Sequence, residues 1–169
     1  MDTWDNLAVK QSAGALSMHT PGHSSYLEYI RSMVCSLSRT VGFSEEEVAK
    51  IEMSVDEACS NIIEHAYEPE TKWCWQHRAP EIRLNMRVEN KQLIIEINDH
   101  GQRFDFTAHC HDSIEEGLRS MHTGGYGISI IRQFMDEVGY TSSDTTGNTV
   151  RLIKYLPTFR SAVHAESRH

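Results

Sequence analysis

Between Ser44 and Pro69 the chain is written as one long helix with two unlike faces. Ser44-Glu-Glu-Glu47 is a capping box, with Ser at the N-cap and Glu three residues on. Three glutamates in the first turn suit the positive end of the helix dipole. Pro69 disfavours helical backbone just before it, so the spacing predicts a helix through about Tyr67. Its apolar stripe is Ile51, Val55, Ala58, Cys59, Ile62 and Ala66. The opposite stripe is Ser54, Glu57, Asn61, Glu64 and Glu68. The first stripe demands a partner layer. The second is open: on spacing alone a solvated face is the commoner arrangement, and a ligand-facing one is the alternative.

The rest of the chain supplies the partner layer. Ala15–Met18 is predicted as an edge strand. Ser25-Tyr-Leu-Glu28 is a second capping box, with Ser25 as N-cap. Leu27, Ile30, Val34 and Leu37 then mark an amphipathic helix ending near Gly42. Residues 68–80 are irregular and carry Trp73 and Trp75, which serve loop packing or a partner contact. Ile82, Leu84, Met86 and Val88 alternate as in a half-buried strand. Glu89-Asn90-Lys91 is a turn, and the denser run Leu93, Ile94, Ile95, Ile97 is a central strand ending at Asn98-Asp99-His100-Gly101. Residues 102–123 are polar and weakly periodic. Gly124 to Gly127 then open a short helix with Ile128, Ile131 and Phe134–Met135 on it. Val138–Ser142, a turn at Asp144–Asn148 and Thr149–Leu156 make a closing hairpin. With no repeats and no second core, the prediction is one α+β domain over 1–169, its core about 16–157 and its termini loose.

A net charge of −8 and a sequence pI of about 5.6 argue against nucleic acid, whose phosphates need a basic stripe. No run approaches the ~20 apolar residues of a membrane span. The opening MDTWDNLAVKQSAG has no apolar core of a signal peptide. The four cysteines, Cys35, Cys59, Cys74 and Cys110, form no CxxC pair, so free thiols in a reducing cytoplasm are expected. Cys74, His77, His109, Cys110 and His111 lack the spacing of a standard zinc finger.

Three stations then stand out at the ends of regular elements. Glu57 and Asn61 lie one turn apart on one helix face. Asp99 and Gly101 follow the central strand, and a glycine cluster precedes a helix. Taken singly, each also reads as an ordinary feature: a solvated stripe, a turn acid, a flexible loop. His65, one turn past Asn61, reads as a packing or capping residue before it reads as a ligand. Together the stations offer complementary chemistry. A carboxylate takes a proton, and an Asn oxygen suits a hard cation. Asp99 accepts from an amino group, and Gly101 lets backbone approach a flat ring. A glycine-rich turn at a helix N-terminus presents N–H groups to phosphate. That set describes a nucleotide with Mg²⁺.

E-x-x-x-N on a helix, D-x-G after a strand, G-G-x-G before a helix, and then G-N-T-V-R-L resemble the GHKL ATPase group. VDEACSNIIEHAY, NDHGQRFDF and GGYGISIIRQFMDEVGY are similar to the boxes of the anti-sigma-factor serine/threonine kinases of the RsbW and SpoIIAB type. The resemblance spans roughly residues 16–157. It implies a Bergerat-type two-layer α/β sandwich, a mixed sheet covered by helices on one face. By position it implies Glu57 as general base and Asn61 as the Mg²⁺ ligand. Asp99, beside Gly101, would hold the adenine amino group, with Gly125 and Gly127 at the phosphates and Thr149 near the adenine. The implied reaction uses ATP and Mg²⁺ to phosphorylate a Ser or Thr of an anti-sigma-factor antagonist. The same surface would sequester a sigma factor, and a homodimer is plausible from the family. Arg103 stands where many GHKL proteins carry the second Gly of D-x-G-x-G, and the loop at 68–80 is longer than the pattern. Those departures support an alternative, a non-catalytic adenine-nucleotide-binding adaptor. A metal-binding stress sensor built on the Cys/His loops is a third.

Overall fold

The computed structural model describes residues 15–65, 81–103 and 126–157. Strand β1, Leu16–Pro21, leads through a single 3₁₀ turn into helix α1, Leu27–Thr40, and helix α2, Glu45–His65. Strands β2, Glu81–Glu89, and β3, Gln92–Asp99, follow. Helix α3, Tyr126–Phe134, and strands β4, Glu137–Ser143, and β5, Gly147–Tyr155, complete the described chain. The loop with Trp73 and Trp75, the stretch from 104 to 125 and the predicted tail lie outside the described residues.

The sheet order is β1-β2-β3-β5-β4, so β3 is central, as the density of its apolar run predicts. All four described pairings are antiparallel, where the resemblance implied a mixed sheet. The reason is topological. β3 and β4 run parallel across the helical crossover, but β5 folds back between them, so no parallel neighbours remain among the described strands. Asn90 and Lys91 both take positive φ, 50° and 62°, which suits a two-residue hairpin and joins β2 to β3.

Strand parity divides the sheet. On the inner face Ile82, Leu84, Met86, Leu93, Ile95, Ile97, Val150 and Leu152 are buried. Against them pack Ile30 and Val34 of α1, Ile51, Val55, Cys59 and Ile62 of α2, and Ile128 and Ile131 of α3. Each such side chain contributes about 1.5–3 kcal/mol by leaving water, so this single layer contact holds the sandwich together. The other face carries a polar row. Ser17 Oγ donates to Asn85 Oδ1 at 2.6 Å, Asn85 Nδ2 to Asn98 Oδ1 at 3.2 Å, and Asn98 Nδ2 to Thr149 Oγ1 at 2.7 Å.

Two local expectations need correction. Ser25 does not cap α1. It sits inside the 3₁₀ turn, where the His23 ring accepts from its backbone N–H, and α1 starts without a side-chain cap. Ser54 does not belong to a polar face either. It is fully buried, and its hydroxyl donates to the Lys50 carbonyl one turn back. A short hydroxyl can satisfy itself on its own helix, so it reads as polar and packs as small. Ser44 does cap α2: the Glu47 N–H donates to Ser44 Oγ at 3.3 Å.

Candidate functional site

The polar end of α2 is set by close packing against α3. A methyl group built on Gly127 would lie 1.9 Å from Glu57 Oε1 and 2.6 Å from its Cδ. Only a residue without a side chain lets the start of α3 close on this carboxyl. Glu57 is half-buried. Burial pushes its pKa up, and the negative charges of Glu64 and Asp56 push the same way. Asp56 itself is tied to Arg31 of α1 at 2.9 Å. Among the described residues no cation stands within ion-pair distance of Glu57. It is therefore a carboxyl of raised proton affinity packed on the start of α3, a chemistry that could accept a proton.

Asn61 lies one turn further along α2 and is also half-buried. A Mg²⁺ bound to phosphates keeps several waters and takes only one or two protein oxygens. One neutral oxygen one turn from Glu57 fits that demand. Among the described residues there is no group of three or more His, Cys, Asp or Glu that would form a protein-only metal cage.

The second pole is at the end of β3. Asp99 is 4% exposed, on the inner face. Its Oδ1 accepts from the Gly101 N–H at 2.7 Å and from Asn148 Nδ2 at 3.0 Å. Burial raises the Asp99 pKa, and these two donors, with His100, pull it back. Among the described residues nothing donates to Oδ2. That oxygen could accept from a ligand's amino group.

The predicted residues therefore fall into two clusters. Glu57 meets Gly127, with Asn61 one turn away, and Asp99 meets Gly101. Gly125 lies outside the described residues. Thr149 is not brought to Asp99: it pairs with Asn98, and its side chain joins the polar row on the outer face. Its neighbour Asn148 takes the inner position opposite Asp99, buried at 3%. Sequence reasoning treated Asn148 as a turn residue. Counting back by twos from Leu152 and Val150 would have placed it on the inner face. Gly147 makes the contact possible. Its φ is +80°, and a Cβ there would lie 2.2 Å from the Asp99 carbonyl oxygen.

Cys35 and Cys59, the two cysteines among the described residues, are buried free thiols. Burial pushes Cys59 up to about 12 and, with a hydrogen bond to Glu52, Cys35 to about 11, so neither is a nucleophile at neutral pH. The predicted Cys/His metal loops lie outside the described residues. Among those described, no helix is long and apolar enough to cross a membrane.

The chain is similar to known proteins. The chain is 26% identical over 152 residues to the serine-protein kinase RsbW of Bacillus subtilis (strain 168), a match covering 88% of this chain and 89% of that protein. It is 24% identical over 145 residues to the RsbW of Bacillus thuringiensis (strain Al Hakam), covering 83% and 84%. A crystal structure of the RsbU and RsbW domains of Rv1364c from Mycobacterium tuberculosis superposes with a TM-score of 0.59 at 14% identity. That match covers 85% of this chain and 33% of the longer one, and it supports the fold. A profile of the histidine kinase-like ATPase domain matches residues 21–154, a span that holds both clusters. The chain belongs to the histidine kinase-like ATPase domain family.

Proposed function

We propose that this chain is an ATP-dependent serine protein kinase whose substrate is an anti-sigma-factor antagonist and which sequesters a sigma factor in the cytoplasm. The observation that carries the kinase half is Glu57: a carboxyl of raised proton affinity, without a described cation, packed on the glycine that opens α3. Such a group takes the proton of a serine hydroxyl as its oxygen bonds to the γ-phosphorus and the bond to ADP breaks. Asp99 Oδ2 accepts from the adenine amino group and sets the register of the nucleotide. By the resemblance, Gly125 and Gly127 are the glycines whose N–H groups would meet the phosphates. Asn61 would hold Mg²⁺, which would supply charge neutralisation at the phosphates. The names of the RsbW relatives support the serine-kinase reading, and the resemblance of the three boxes supports the sigma factor and its antagonist as partners. Homodimerisation belongs to the same proposal.

The test is transfer of ³²P from ATP to a candidate antagonist, comparing the wild type with Glu57→Gln. ATP binding retained and transfer lost in the variant is the expected result. Equal transfer by both removes Glu57 from the role. ATP binding by the wild type with no phosphoprotein from any antagonist tried favours the non-catalytic adaptor instead.

A further inference from the structure

The Asn148 amide stands at the centre of a hydrogen-bond cluster that the nucleotide site does not by itself require. Its Nδ2 donates to Asp99 Oδ1 at 3.0 Å, to the Gly101 carbonyl at 3.1 Å and to the Gln102 carbonyl at 3.3 Å. Its Oδ1 accepts from Ser142 Oγ at 2.8 Å. The cluster runs across the inner face from β4 through β5 to β3, with Ser142 opposite Asn148 and Asn148 opposite Asp99.

The chemistry allows one orientation of the amide. Three oxygen acceptors crowd one side of it, so the NH₂ faces them, and the hydroxyl hydrogen of Ser142 meets the oxygen. The consequence falls on Asp99. With Oδ1 occupied by Gly101 and Asn148, the carboxylate has two donors and one oxygen free, and it cannot rotate without losing both bonds. Resting on the adenine reading above, we propose that Asn148 is a positioning residue for base selectivity: it holds Asp99 as a fixed acceptor, so that a 6-aminopurine is taken and a 6-oxopurine is refused. A 6-oxo oxygen would face Asp99 Oδ2, acceptor against acceptor, in a place with little water to separate them. Arg103 adds a second tie on the same loop, donating to Asp144 at 2.6 Å. That pair is exposed and holds the loop without touching the carboxylate.

A merely structural Asn148 and a selectivity-setting one give different results. Structural damage weakens all nucleotides alike, whereas a freed Asp99 changes their ratio. The experiment is calorimetry of ATP and of inosine triphosphate, which differs from it in the base at the 6-position, on wild type, Asn148→Asp and Ser142→Ala. Asn148→Asp keeps the size and turns the donor into an acceptor facing three others. Wild type is expected to prefer ATP by about tenfold or more. In Asn148→Asp the preference collapses to within about threefold, with ATP losing most of the affinity. Circular dichroism reports whether that variant folds. If it does not, Ser142→Ala carries the test, since release of the amide oxygen lowers the ratio by about two- to fivefold. Variants that fold and keep the wild-type ratio overturn the role of Asn148, as does a wild type that binds both nucleotides equally. A wild type that binds neither overturns the adenine reading itself.

Discussion

Two glutamates ten residues apart on α2 have met opposite fates. Glu47, in the first turn, is 3.0 Å from the ammonium of Lys154, whose side chain is 3% exposed. That ammonium also donates to the Phe134 carbonyl and lies 3.8 Å from Asp136. The pair ties the start of α2 to β5 and to the end of α3. Glu57 lies against a glycine, with two acids as its nearest charges. The same side chain on the same helix is a structural tie where a cation is supplied and, where it is withheld, a carboxyl of raised proton affinity that we propose as the proton acceptor. Folding stability is served at one end of α2 and given up at the other.

Substitutions that exchange these environments test the contrast. The largest effect is expected from Glu57→Ala, which should lower phosphoryl transfer by ~10²–10⁴-fold while ATP binding persists, as read by ³²P transfer and calorimetry. Gly127→Ala should come next. Its methyl evicts the Glu57 carboxyl, and a displacement of about 1 Å costs on the order of 10²-fold in rate, with melting temperature little changed because a flexible side chain yields. Lys154→Met should leave transfer chemistry intact per folded molecule but destabilise the fold by about 2–3 kcal/mol in urea titration. That is below the ~3–5 kcal/mol of a fully buried broken pair, since Glu47 keeps 19% exposure.

The pH dependence sharpens the contrast further. A base must be unprotonated, and the Glu57 pKa is raised, so transfer should fall as pH drops through a point above the ordinary glutamate value. The fall is about tenfold per unit on the acid limb, and Glu57→Gln should lack this limb in its residual rate. The smallest effect concerns stability. A raised folded pKa means that the folded state binds this proton more tightly than the unfolded one. Stability therefore declines as pH rises from the ordinary value through the raised one. Glu57→Gln removes that penalty. Its melting temperature should exceed the wild type's by about 1–3 °C at pH 7, and the gain should vanish below the ordinary carboxylate pKa.

Much of this architecture is readable from residues alone, for identifiable reasons. The capping box at Ser44, the alternation of Ile82, Leu84 and Met86, and the apolar density of β3 are local patterns, and local patterns survive folding. Glu57, Asp99 and the glycines stand out as candidates because three separate motifs occur in order. What escaped depended on parity or on partners distant in sequence. Thr149 is one residue from the inner face, and one residue reverses a strand side chain. Ser54 shares the helical spacing of Glu57 but bonds its own backbone. The Lys154–Glu47 tie spans more than a hundred residues, and no spacing rule connects them.

The insertion of β5 between β3 and β4 has a consequence for how the molecule is born. Asp99 leaves the ribosome 49 residues before the amide that restrains it. Until then the central strand has an open edge and its terminal acid is unrestrained. On the proposed reading, nucleotide recognition is a late-arriving property of the nascent polypeptide, acquired when β5 slides into the gap kept for it.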